Sequence, residues 1–254
     1  MRAPGRALLL LCAAVAPGPV RAGVVAVTEN GSERSILSVE GSRLRIETVA
    51  GGSTRVLVFD AAARKLTSID PQARVFGEMT EADARVLSTK MREELDRAKA
   101  LMTPEKRAEI EARLSTGPAA PEVRYLPTGK SQTIAGILCA GYEEVAGGER
   151  QSEGCYIPWE AGLVSRQDLE PLARLGEFLA LLYSGVRGPL PAGGLTREIA
   201  RSPGFPASRT PLGRDGQRGE EERLVRLERK PVPDSEFTVP AGFTRILQAP
   251  VGAR

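Results

Sequence analysis

From Val24 to Met79 the chain is cut into short strand-like runs by turn residues roughly every ten positions, and no other feature restricts its fold as strongly. The runs are Val24 to Thr28, Arg34 to Val39, Arg43 to Val49, Thr54 to Phe59, Lys65 to Ile69 and Arg74 to Phe76. Between them stand Asn30-Gly31, Gly41-Ser42, Gly51-Gly52, Ala61 to Ala63 and Pro71. This predicts an antiparallel meander. In the third run Leu44, Ile46 and Thr48 alternate with Arg43, Arg45 and Glu47, the mark of one buried and one wet face. The fourth, Val56-Leu57-Val58-Phe59, is apolar on both faces, so some other part of the chain must cover its second side.

A helical block follows. Thr80 is placed to cap a helix with Asp83 three residues on, and Ala84, Leu87, Met91, Leu95, Ala98 and Met102 recur at helical spacing as one apolar stripe. A second helix is expected from Thr103-Pro104 to near Gly117, with a poorer apolar face of Ala108, Ile110, Ala112 and Leu114. Strands resume at Glu122 to Leu126. A third helix is expected from Asp168 to Tyr183. Only Glu170, Arg174 and Glu177 give it a polar strip, so it must be covered on most sides, and it is too short and too charged to cross a membrane. Gly185 to Gly194 reads as a loop, and Ser208 to Leu212, Glu221 to Arg229 and Phe237 to Val239 read as closing strands before a turn at Pro240-Ala241-Gly242.

The first 22 residues have the form of a cleavable secretory signal: Arg2 and Arg6, an apolar core from Ala7 to Ala16, then Val20-Arg21-Ala22. A lipoprotein signal on Cys12 is disfavoured by Leu11, which stands where a small residue is needed. Cleavage would remove three of the 35 Lys+Arg and none of the 32 Asp+Glu, leaving a neutral chain with no bulk attraction to nucleic acid or anionic membrane. It would also leave two cysteines, Cys139 and Cys155, in a compartment where thiols oxidise. If Thr133 to Val145 and Glu149 to Ile157 form a hairpin around a three-residue connection, Ala146-Gly147-Gly148, then Val145 opposes Glu149 and Cys139 opposes Cys155. A structural disulfide is expected, since a redox-active pair would need a closer spacing.

The chain has no histidine, which removes imidazole metal sites and every mechanism that needs a histidine base. Gly129-Lys130-Ser131 is not a phosphate loop, because Arg124 stands where its first glycine belongs and a strand follows where a helix is required. Ser184 lacks the preceding glycine of a nucleophile elbow, with Leu182 in its place. Glu143-Glu144 and Glu221-Glu222 point to opposite faces of their strands and make no dyad alone. No Asp-rich calcium loop is present. No cofactor, metal or catalytic residue is therefore expected.

The order of signal, meander, helical interruption, Thr128-Gly129-Lys130-Ser131, Ile134-Ala135-Gly136, Cys139, Cys155, Gly204-Phe205-Pro206 and Phe237-Thr238-Val239-Pro240-Ala241-Gly242-Phe243 resembles the secreted bacterial family known as domain of unknown function 4412. More remotely, Arg43-Leu44-Arg45-Ile46-Glu47, the Thr54 to Asp60 strand and Ser68-Ile69-Asp70-Pro71 are similar to successive strands of the LolA-like lipoprotein carriers. Arg45 is the nearest match to an arginine of those carriers. The resemblance implies an incomplete antiparallel barrel whose helices cover an apolar cavity for acyl chains. The chain departs from the carriers in lacking aromatic-rich strand ends and in having Asp60-Ala61 at a turn where they often have Asp-Gly.

The expected fold is thus α+β: an antiparallel sheet curved into a LolA-like half-barrel, about three helices on its concave side, in a single domain over 23–250 with a loose tail at 251–254. The helical insertion is placed at about 80–116 and the further helix at about 168–183. The expected function is non-enzymatic binding or carriage of a lipid, a lipoprotein acyl chain or another apolar ligand in the periplasm or outside the cell, with no nucleic-acid partner and no transmembrane segment after signal cleavage. Leu44, Ile46, Val56, Val58, Leu87, Met91, Leu179 and Leu182 are the expected ligand-contact residues. The alternatives are an envelope interaction module of the same fold with a filled core, and a hydrolase using two carboxylates.

Overall fold

The computed structural model describes residues 22–115, 123–184, 201–213 and 215–246, with the backbone alone for 111–115. The expected leader, the loop at 185–194 and the tail at 251–254 lie outside these residues, Ala22 apart. The meander forms as β1 (Gly23–Asn30), β2 (Glu33–Glu40), β3 (Arg43–Ala50), β4 (Ser53–Asp60), β5 (Lys65–Asp70) and β6 (Val75–Thr80). The first three connections are two residues long, and Gly31, Gly41, Gly51 and Gly52 hold the positive φ that such turns require. The next two are built differently. Asp60 and Asp70 each accept two backbone N–H groups of the following turn, from Ala62 and Ala63 and from Gln72 and Ala73. Arg64 and Arg74, not glycines, close those turns at φ 48° and 53°.

Thr80 ends the meander and caps α1 (Glu81–Ala100). Its hydroxyl accepts the Asp83 N–H at 3.3 Å while the Asp83 carboxylate accepts the Thr80 N–H at 2.9 Å. After α2 (Pro104–Ser115) the chain returns as β7 (Arg124–Ile134), β8 (Ile137–Ala146), β9 (Glu149–Pro158), α3 (Glu170–Leu182), β10 (Gly204–Pro211), β11 (Glu222–Lys230) and a two-residue β12 (Thr244–Arg245). Among the described residues these strands make one open sheet of twelve in the order β12-β6-β5-β4-β3-β2-β1-β11-β10-β9-β8-β7. All its pairs are antiparallel except β12 on β6. With three helices among its described elements the fold is α+β. No described helix is long and apolar enough to cross a membrane.

Two cores lie on the two faces of the meander. On one face Val24, Val39, Leu44, Phe59, Leu66 and Met79 meet Leu172, Leu175, Phe178, Leu179 and Leu182 of α3. On the other, Val25, Val56, Val58 and Ile69 are covered by Val232, Phe237, Val239 and Phe243 of the C-terminal segment. That segment answers the question posed by the doubly apolar fourth strand: it runs from β11 across the sheet to the β6 edge, where the Thr244 N–H donates to the Arg74 carbonyl at 3.0 Å.

Several expectations are corrected. Phe237 to Val239 is not a strand; Asp234–Phe237 is a short 3-10 turn that lets Phe237 drop onto the sheet. Thr133 to Val145 is not one strand either, because Ala135 and Gly136 adopt φ 51° and 77° and fold it into a further hairpin. The β8–β9 connection is two residues long, Gly147-Gly148, which pairs Ala146 with Glu149, and a bulge at Glu144/Val145 adds another one-residue shift. Cys155 therefore faces Gly141, not Cys139. The two shifts together move the register by two, an even step that keeps both sulfurs on one face, and the Cys139–Cys155 disulfide forms diagonally with Cα atoms 5.5 Å apart. The helices differ as well. α3 packs on the sheet and α1 does so only through its first turns, where Ala84 and Ser88 are buried, whereas the described side chains of α2 are exposed or half-buried.

Candidate functional site

The eight expected ligand-contact residues do not form one site. Register explains why. Leu44 opposes Phe59 and Ile46 opposes Leu57 on the helix-covered face, whereas Arg45 opposes Val58 and Glu47 opposes Val56 on the other. Leu44 and Leu182 are 0% exposed, Leu179 is buried beside them, and the Phe59 and Phe178 rings meet edge to face at 5.6 Å. Ile46 and Leu87 flank this packing. Met91 lies a turn further along α1, half-buried and in neither core.

Val56 and Val58 floor two cavities on either side of the C-terminal segment, and these are the candidate site. The larger, about 420 Å³, has Val56, Ile69 and Phe243 as apolar surface and Arg45, Glu47 and Glu236 as charged wall. The smaller, about 340 Å³, has Val58, Ile69 and Phe76 with Arg43, Lys65 and Glu78. Both volumes fall in the lower part of the usual range for small-ligand sites, ~300–1,000 Å³. Ile69 and Thr238 line both, so the segment divides one trough into two. Ion pairs hold it in place: Arg43 donates to Asp234 at 2.7 Å, and Arg45 lies 2.6 Å from Glu47 and 3.4 Å from Glu236. Arg43 also sits over the Phe237 ring, 4.6 Å from its centroid. An apolar floor with a few convergent polar groups suits an amphipathic ligand.

A second cluster went unseen in the sequence. Glu144 is 1% exposed, accepts the Tyr156 hydroxyl, and accepts two N–H groups of Arg209 at 3.0 and 2.9 Å. Burial works to raise its pKa, but the Arg209 and Tyr156 hydrogen bonds and the Arg209 charge outweigh it, so the carboxyl lies below its ordinary range. Burial first, and then the Glu144 charge, push the Tyr156 hydroxyl up. Two bulges create this meeting. The one at Glu144/Val145 sets Glu144 opposite Ser152, and the one between Pro206 and Ser208 sets Arg209 opposite Gly154, on the face that carries Tyr156. Gly154 is required there, since a Cβ would stand 2.9 Å from both the Ser208 carbonyl oxygen and the Tyr156 ring. Tyr125 and Tyr142 enclose the group edge to face with Tyr156. An ionised, fully bonded carboxylate of this kind is a strut and a poor proton donor at neutral pH. Among the described residues no group of three or more acidic or sulfur side chains is arranged to hold a metal ion.

No family model matches this chain, and no curated protein does. Among solved structures it is similar to an uncharacterised conserved protein from Thermus thermophilus, with a TM-score of 0.44 and 7% identity over 90% of this chain and 92% of that one. It is similar also to MucB in complex with MucA(peri), with a TM-score of 0.35 and 11% identity over 90% of this chain and 58% of that one. The MucA/MucB complex of Pseudomonas aeruginosa matches with a TM-score of 0.35 and 12% identity, over 85% and 56%. The chain thus spans little more than half the length of the two MucB-complex chains it matches.

Proposed function

We propose that this protein is a non-enzymatic, exported binding protein for an amphipathic ligand, and that the ligand lies alongside the C-terminal segment, not between sheet and helices. The observation that carries this reading is the contrast between the two faces: among the described residues the helix side is packed by Leu44, Phe59, Leu179 and Leu182, while the opposite side keeps cavities of about 420 and 340 Å³ over Val56, Val58 and Ile69. The Cys139–Cys155 disulfide supports an oxidising compartment, and the periplasm is the one that the leader-like sequence favours. The twelve-stranded sheet with α3 and the first turns of α1 packed on one face fits an incomplete barrel of the LolA-like type. The interaction-module reading keeps one observation in its favour. The apolar stripe of α1 continues through Met91 and Leu95 past the end of its packing, and Leu101 at its close is 91% exposed.

Titration with the neutral, environment-sensitive dye Nile red tests the proposal. The dye is expected to bind saturably at one region, and Thr238→Trp, which introduces a large ring at the wall shared by both cavities, is expected to abolish that binding without altering the fold. Absence of saturable binding, or binding unaffected by Thr238→Trp, would overturn it.

A further inference from the structure

We infer that the larger cavity selects the head group of its amphiphile and takes a cationic one, an inference that rests on the binding reading above. Among the described residues, the charged side chains facing this cavity are Arg45, Glu47 and Glu236, two acids to one base. Arg45 is shared between both carboxylates, so one negative charge remains in excess beside an apolar floor. The sharing is uneven. Glu47 sits 2.6 Å from the guanidinium and Glu236 at 3.4 Å, with Glu236 47% exposed against 25% for Glu47. Glu236 is thus the carboxylate with spare capacity, and it stands on the C-terminal segment at the cavity wall. An ammonium group entering with its chain on Val56 and Ile69 gains a counter-ion there. An anionic head in the same place meets two carboxylates and a guanidinium already shared between them, the next cation, Arg74, standing over the Phe243 ring 5.9 Å from its centroid and outside the lining. The smaller cavity lacks this bias, because Arg43 and Lys65 balance Asp60 and Glu78.

Displacement of Nile red by octyltrimethylammonium, octyl glucoside and octanoate, each below its micelle concentration, separates the possibilities. Octyltrimethylammonium is expected to displace the dye at roughly tenfold lower concentration than octanoate, with the glucoside between, since one unscreened charge a few ångströms away is worth about that factor. The gap is expected to shrink in about 0.5 M salt, where charges are screened within a few ångströms. Glu236→Gln is expected to remove the preference, and Glu47→Gln with Glu236→Gln to reverse it in favour of octanoate. Both sites are partly exposed, and a thermal melt matching the wild type confirms folding. Equal or stronger displacement by octanoate in the wild type, at a site still lost in Thr238→Trp, would overturn the head-group inference and leave the binding site standing. Displacement of the dye by none of the three would overturn the binding reading itself.

Discussion

Replacing Arg209 by methionine removes the cation that offsets the burial of Glu144 while keeping most of the side chain's apolar length. Breaking a buried pair this way typically costs ~3–5 kcal/mol, because the remaining charge is left without solvent or counter-ion. Arg209 is 31% exposed, so water reaches the vacated position and the lower end, about 3 kcal/mol at pH 7, is expected. In a domain of this size that is a fall in Tm of roughly 6–12 °C. The pH dependence identifies the mechanism. In the wild type the Glu144 pKa is depressed, so its contribution is complete above the ordinary carboxylate range and is lost only as pH falls through the depressed value. In Arg209→Met burial dominates and raises that pKa. The variant's deficit should then be largest at neutral pH and narrow on acidification toward pH 4, where Glu144 takes up a proton. Glu144→Gln in the Arg209→Met background should recover much of the loss. Urea unfolding of the three proteins at pH 7 and pH 4.5 measures all of this. A deficit below about 1 kcal/mol at pH 7, or one that grows as pH falls, would show that the pair is not a buried ionic strut.

Other expectations follow from the same structure. Thiol labelling of the protein taken from an oxidising compartment, native or denatured, should find neither Cys139 nor Cys155 free, and replacing both by serine should cost ~2–4 kcal/mol in chemical denaturation. Leu179→Asp places a charge in the core between α3 and the sheet and should leave the protein largely unfolded by near-UV circular dichroism; an unchanged melt would contradict the packing of α3. Phe237→Ala should cost ~3 kcal/mol or more and raise hydrogen exchange at Thr244 and Ile246, whose N–H groups bond Arg74 and Phe76 at the β6 edge. Above pH 10 stability should fall by about 1.4 kcal/mol per pH unit through Tyr156 alone, since its raised native pKa keeps it protonated while the unfolded chain ionises.

The parts of this fold that were legible are those written in local chemistry. Two-residue glycine turns, the Thr80–Asp83 box and the alternation of Leu44 and Ile46 with Arg45 and Glu47 each act within a few residues, and their elements formed where expected. What was lost depends on single-residue offsets. Ala135 carries no sign that it will adopt φ 51°, so the β7–β8 turn reads as strand interior. A bulge adds one residue without a required residue type, and two of them decide that Arg209 reaches Glu144. The candidate site suffered from parity. Val56 and Val58 are as apolar as Leu57 and Phe59, and only the register to β3 assigns them to opposite faces. The cover of that second face comes from Phe237 and Phe243, whose spacing reads equally well as a final strand.

The position of β1 has a kinetic consequence. It pairs on one side with β2, its neighbour in sequence, and on the other with β11, where Val24 meets Arg229. Val24, Val25 and Val27 are all buried, so a chain that has not yet supplied β11 presents an apolar strand with an open row of amide groups. Closing that gap needs nearly the whole polypeptide. Folding should accordingly be slow, on the scale of ~milliseconds to seconds set by distant pairings, and should proceed as two local ladders, β1–β6 and β7–β10, that join last. The same geometry makes any truncation before Glu222 a source of edge-to-edge aggregation.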